Sequence, residues 1–224
     1  MTLPVFYINL SEDKDKRCAT EHTLASLFTN VARIPGVLHP NGKEGCRQAH
    51  IRANQAGVYA TVPGEYYLIV EDDVQLNMAP CQAQDAMQTA SSTGADLILL
   101  NAQNQPETVQ LKGGRTSIYA HPFRFHHLLA GAYSGLAYMV RHEFGRRLVR
   151  HWQHRIHQNR HIDITWQSLW PTHNVLLIQP LVFLHRPGRS RTGDTSYRHA
   201  TDTNIQDFDW SKLRVSQRSA HAAT

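Results

Sequence analysis

Cysteine is scarce in this chain. Cys18, Cys46 and Cys81 form an odd, widely spaced set with no Cys-x-x-Cys pair. That pattern excludes a zinc ribbon and a disulfide framework, and it points to a reducing compartment. Long apolar runs are missing too, since none approaches the ~18–20 residues a membrane span needs. The basic start and small-residue cleavage site of a secretory leader are also lacking, and Leu3 to Leu10 reads at once as a strand. These absences predict a cytoplasmic protein. Glycine is absent from Ser11-Glu12-Asp13-Lys14, just after that strand. A nucleotidyltransferase would place a glycine-rich, lysine-bearing phosphate loop there, so the absence counts against that class.

What is present suits a globular protein. The 224 residues are 41% hydrophobic and 18% charged. A domain of this size buries roughly 70% of its unfolded surface and needs no staples. We expect one domain over residues 1–190, followed by a basic, polar segment over 191–224. The formal charge is +5 and the pI about 9.3. Arg186, Arg189, Arg191 and Arg198 cluster around a single acid, Asp194. Such a segment suits a diphosphate, an anionic membrane surface met peripherally, or nucleic acid, and equally a solvated tail or a lid.

Strand and helix patterns alternate along the first half. Pro4–Leu10 reads as a strand, with Ser11 or Asp13 capping a helix to about Phe28. A second strand is expected at Val31–Leu38 and a helix at Lys43–Gly57. Tyr66–Val70, a helix at Pro80–Ser92 and a strand at Asp96–Leu100 continue the pattern. Lys112-Gly113-Gly114-Arg115 suggests a hairpin turn. A basic amphipathic helix is expected from His142 to His157, then a strand pair over Asn174–Leu184 interrupted at Pro180. The alternation predicts an α/β domain with a mixed, mostly parallel, Rossmann-related sheet flanked by helices.

The sharpest chemical signal is Leu68-Ile69-Val70-Glu71-Asp72-Asp73-Val74. Three acids follow a buried run directly. Charges so near a core are costly unless something pairs them. Ligands of open α/β sheets bind at the carboxyl ends of strands, and carboxylates placed there suit Mg²⁺ or Mn²⁺. The bland alternative is a solvated acidic turn. Glu71 and Asp73 have the alternate spacing with which two acids hold an ion that neutralises a departing diphosphate. Asp72, between them, is placed to meet a ribose or sugar.

Here the chain resembles glycosyltransferase family 25, which includes lipooligosaccharide sugar transferases and collagen galactosyltransferases. The likeness runs in order over roughly residues 5 to 190. Its pieces are Tyr7-Ile8-Asn9-Leu10 with Arg17, Gly45-Cys46 with His50, and Val70-Glu71-Asp72-Asp73-Val74. Ala137-Tyr138-Met139-Val140 with Gly145, then Asp163, Pro180 and Ser190, complete it. Two family serines are replaced, by Ala49 and Arg141. The resemblance implies a GT-A fold, a UDP-sugar donor, galactose as the first guess, and inverting transfer to a hydroxyl of a saccharide or glycoconjugate. It further implies a role in building lipopolysaccharide-type glycans and no nucleic-acid partner.

Roles follow from the resemblance. Asn9 and Leu10 would meet the nucleobase. Arg17 would reach the uridine or diphosphate, or else is a surface arginine. His50 is either a donor contact or a satisfied core histidine. Cys46 reads as a small buried residue rather than a nucleophile. Asp163 would take the acceptor's proton, with a helix-start acid as its alternative. Glu71, Asp73 and the late His185 would hold Mn²⁺ or Mg²⁺. Arg186, Arg189 and Arg191 would fold over the diphosphate. Trp166 and Trp170, one helical turn apart, form either a sugar-stacking wall or part of the core. Two competing functions remain: a silent relative that binds nucleotide-sugar without turnover, and a basic nucleic-acid binder, against which the acidic cluster argues.

Overall fold

The computed structural model describes residues 3–102, 110–112, 117–186 and 215–216. The first strand, β1 (Val5–Asn9), is followed by helix α1 (Lys14–Ala25), strand β2 (Val31–Pro35) and helix α2 (Gly42–Ala60). Strand β3 (Tyr66–Glu71) leads through a turn to β4 (Val74–Leu76), then helix α3 (Pro80–Ser92) and strand β5 (Leu97–Leu99). Short strands β6 (Gln110–Lys112) and β7 (Ile118–Ala120) precede the longer β8 (Phe123–Ala130) and β9 (Ala137–Arg141). Helix α4 (His142–Gln153), the short α5 (Ile162–Thr165), β10 (Val175–Gln179), β11 (Phe183–His185) and β12 (Val215–Ser216) complete the order.

The central sheet has the order β12-β6-β8-β10-β5-β9-β3-β1-β2, with β7 on β8. Strands β2, β1, β3, β5 and β10 point one way, while β9 and β8 run against them. This is the expected mixed α/β architecture with helices on both faces.

Alternation along the strands builds two cores. Val5, Tyr7, Leu68, Val70 and Met139 face α1 and α3, packing with Leu24, Ala86 and Met87. Phe6, Tyr67, Ile69, Tyr138 and Val140 face α2 and α4, packing with Ala53, Phe144, Leu148 and Trp152. No helix among the described residues is long and apolar enough to cross a membrane.

Local chemistry sets the ends. Asn41 caps α2 by accepting from the amides of Lys43 at 3.0 Å and Glu44 at 3.4 Å, so the helix begins slightly before the expected Lys43. Pro80 opens α3 with its missing N–H at a position that needs none. Asp13 occupies the N-cap position of α1 without a side-chain capping bond, contrary to the expected cap. Ser11 is engaged elsewhere, accepting from Arg33.

Three further expectations are corrected. Strand β2 stops at Pro35 rather than Leu38, because proline donates no ladder bond. The basic helix ends at Gln153, and a 3-10 turn over Arg155–His157 follows. Strands β6 and β7 do not pair with each other; both pair with β8. The tight turn lies at His121-Pro122, joining β7 to β8, and residues 113–116 lie outside the described set.

Candidate active site

Strand β1 ends at Asn9 and strand β3 at Glu71, side by side and parallel. Their carboxyl ends open into a pocket whose other walls are residues 36–39 and the first turns of α2. Gly45 lets α2 approach this wall closely, because a β-carbon there would collide with the carbonyl of Val37. Asn9, Leu10, Cys46, His50 and Glu71 to Asp73 all line the pocket. The acidic triplet therefore stands at a strand end within a cleft.

Each acid has a distinct environment. Asp72 accepts from Asn9 Nδ2 at 2.7 Å and lies 3.6 Å from Lys16 Nζ. Burial pushes its carboxyl up to about 6; Lys16 and Asn9 oppose that, and Asp73 and Glu71 add to it. Thr20 fixes the same turn by donating to the Asp72 carbonyl at 2.8 Å. Asp73 lies 3.5 Å from His185 Nδ1. Burial works against its carboxylate, but His185 outweighs that and holds Asp73 below its ordinary range. His185 is raised in turn: burial lowers it, and the Asp73 carboxylate more than compensates. Asp73 Oδ1 is buried and takes no hydrogen bond.

Glu71 turns the other way. Its Oε1 lies 2.8 Å from His50 Nε2. Cys46, His50 and Glu71 offer ligand atoms within 4.8 Å of one another, a group able to hold a metal ion. It is the sole group of that kind among the described residues. The expected set of Glu71, Asp73 and His185 therefore divides, with Asp73 beside His185 and Glu71 beside His50 and Cys46. The reason is that β3 ends at Glu71, so Asp72 and Asp73 belong to the turn into β4. Burial raises the Cys46 thiol, and the charges of Glu71, Asp163 and Asp73 raise it further.

The register of β4 with β11 brings in His185, which pairs with Val74. Arg186 does not reach over the pocket. Its guanidinium donates to the carbonyls of Val74 at 3.2 Å and Ala19 at 3.5 Å, and so staples β4 to α1. Arg189, Arg191 and Ser190 lie outside the described residues.

Arg17 takes the second of its two expected roles, that of a surface arginine. It pairs with Glu21 at 2.9 Å and lines a separate depression with Tyr7 and Arg33. Lys16 takes the site-facing position. Successive helix residues are rotated by about 100°, so Lys16 and Thr20 share the face over Asp72, and Arg17 and Glu21 share the next.

Asp163 lies in the first turn of α5 and is not among the residues lining the pocket. Its charge is nonetheless coupled to that of Glu71 and to the Cys46 thiol. Burial raises its carboxyl, His161 opposes, and Glu71 adds to the rise. The neighbouring Ile162 Cδ1 and Glu71 Oε1 both approach the Cα side of Gly135.

Trp166 and Trp170 are fully buried. Trp166 meets Tyr138 edge-on at 5.0 Å and Trp170 at 6.1 Å. They belong to the core on the α2 and α4 face, which corrects the sugar-stacking alternative.

Asn9, Cys46, His50, the acidic triplet and Tyr138 come from separate stretches of sequence and meet in one region. Lys16, and the ligand potential of Cys46, were not evident from sequence. The i, i+4 spacing of Lys16 and Thr20 was the available signal for the first. No family model and no curated protein matches the chain.

Proposed function

We propose that the protein is a divalent-metal-dependent glycosyltransferase of GT-A type, moving a sugar from a UDP-sugar to a hydroxyl of a saccharide or glycoconjugate. The observation that carries this reading is Asp73 Oδ1, a buried carboxylate oxygen without a partner, in an acidic cluster at the strand ends of a cleft. Buried polar atoms are almost always satisfied, and a cation with a diphosphate supplies what this one lacks.

The donor set fits a hard ion. Glu71 and Asp73 both line the pocket and offer oxygens, Glu71 on the side of His50 and Asp73 on the side of His185. Oxygen ligands favour Mg²⁺ or Mn²⁺, and His185 beside Asp73 favours Mn²⁺. The ion would neutralise the departing diphosphate. Lys16 adds positive charge at the same mouth. Asn9 anchors Asp72, which in this reading would meet the donor. Asp163 is the acceptor's base in this reading, its raised affinity for a proton suiting that task. Transfer breaks the bond between the anomeric carbon and the diphosphate oxygen. The acceptor oxygen bonds the carbon from the opposite face, and its proton passes to Asp163. The basic stretch after His185, together with the pI, supports peripheral contact with an anionic membrane surface.

The experiment is a calorimetric titration of UDP with Mn²⁺ and with EDTA, joined to a panel of nucleotide-sugars read by released nucleotide. UDP affinity should require the cation, and Asp73→Ala should abolish that requirement together with tight binding. Equal affinity in EDTA would reject the reading. Cation-dependent binding without release from any donor would favour the silent relative.

A further inference from the structure

Behind Glu71 lies a chain of buried polar groups that the transfer reaction does not itself require. Tyr67, Asn54, Tyr138 and His50 are each at most 1% exposed. Their hydrogen bonds can be assigned outward from one fixed point. A backbone carbonyl only accepts, so the Asn54 atom 2.9 Å from the carbonyl of His50 is the amide nitrogen. The Asn54 oxygen then faces Tyr67 Oη at 2.8 Å and accepts its proton. The second Asn54 N–H points to Tyr138 Oη at 3.1 Å. The buried Tyr138 hydroxyl proton needs an acceptor, and His50 Nδ1, 2.8 Å away, supplies it. His50 therefore carries its hydrogen on Nε2, and donates it to Glu71 Oε1 at 2.8 Å.

We propose that Asn54 and Tyr138 are positioning residues that lock His50 in the Nε2–H tautomer, so that His50 fixes one oxygen of Glu71 and leaves the other for the cation.

The opposite tautomer would put two lone pairs face to face between His50 and Glu71. It would also leave the Tyr138 hydroxyl proton buried without an acceptor, a loss a core does not absorb readily. The rings cannot turn to relieve this. His50 stacks on Tyr138 at 5.8 Å and 18°, and Trp152 closes on its edge at 6.2 Å. Trp166 in turn packs against Tyr138. The buried tryptophans thus hold the relay, and the relay holds the carboxylate. In this tautomer His50 Nε2 acts on the cation through Glu71, as a donor to its carboxylate, and not as a ligand itself.

The tautomer itself is independent of the proposed activity; its effect on cation affinity rests on the glycosyltransferase reading. The test is long-range ¹⁵N–¹H NMR of the imidazole rings, with His50→Gln used to assign the His50 signals. Wild-type protein should show His50 protonated at Nε2 alone. Tyr138→Phe keeps the ring and removes the proton donor. It should give a mixed tautomer signal and weaken Mn²⁺ binding, read by electron paramagnetic resonance, by about 10-fold or more, the range usual for lost partners of metal ligands. Asn54→Leu should disturb the tautomer in the same direction. A wild-type His50 protonated at Nδ1 would overturn the proposal with no variant needed. So would Tyr138→Phe that loses stability yet keeps the Nε2–H signal. If the tautomer follows the variants while wild-type protein binds no Mn²⁺, the relay stands and the cation reading falls.

Discussion

Gly145 of α4 lies directly against the hydroxyl of Tyr67 on β3, with no room between them for a β-carbon. An added Cβ would overlap the Tyr67 oxygen and come 3.1 Å from Val58 Cγ2. The glycine is a packing requirement of the layer between sheet and helix.

Gly145→Ala should therefore destabilise the fold by roughly 1–3 kcal/mol, although alanine favours a helix by about 1 kcal/mol. Removing the obstructing oxygen with Tyr67→Phe should recover part of the loss. Chemical denaturation of both single variants and the double variant would reveal this as coupling of opposite sign to the single effects. Strict additivity would show that the helix simply moves aside.

Asp163 has three roles that one variant separates. As the base, Asp163→Asn should preserve fold and UDP affinity and lower turnover by roughly 10²–10⁴-fold. If it positions the acceptor instead, the acceptor KM should rise more than kcat falls. A purely structural acid at a helix start would cost about 0.5–2 kcal/mol of stability and leave activity nearly intact. Melting, UDP titration and steady-state kinetics distinguish the outcomes. We expect the first, because its raised proton affinity is present in the folded protein without any ligand.

Asp72 predicts a stability change with pH. Its carboxyl rises from 3.8 to about 6 on folding, mainly through burial. Between those values the native state binds more protons than the unfolded state, so this group's contribution to stability falls as pH rises from about 4 to about 6. Asp72→Asn removes the dependence. Measured in EDTA, the variant's stability relative to wild type should grow across that window by on the order of 2–3 kcal/mol, then level off. A difference that stays flat from pH 4 to 7 would mean that Lys16 and Asn9 fully offset the burial.

Much of this arrangement was legible in the residues themselves. The apolar run ending in Glu71-Asp72-Asp73 fixed both a buried strand and the place where charge emerges from it. Pro80 marked the start of α3, and two strands flanking Pro180 were evident from their apolar residues, although each pairs elsewhere, β10 with β5 and β8 and β11 with β4. The unread parts depend on neighbours distant in sequence. Whether Arg17 or Lys16 faces the cleft turns on one step of helix rotation, which an amphipathic pattern this weak does not define. Trp166 and Trp170 carry ring nitrogens that suggest an exposed or hydrogen-bonded setting, yet both nitrogens are buried without partners. Packing against Tyr138 and Trp152 decided their place. The division of Glu71 from Asp73 was invisible for a similar reason: only the folded position of His50 shows which way Glu71 turns.

The ladder between Val74–Leu76 and Phe183–His185 has a kinetic meaning. It joins segments that a long stretch of intervening chain must bring together, and contacts of that kind are slow to form because loop closure precedes any gain. Asp73 meets His185 only after that docking. An ion held across the pair would then stabilise the finished protein without helping its transition state. Its signature would be slower unfolding at an unchanged folding rate, so the metal would act as a latch on a completed fold and not as a seed for it.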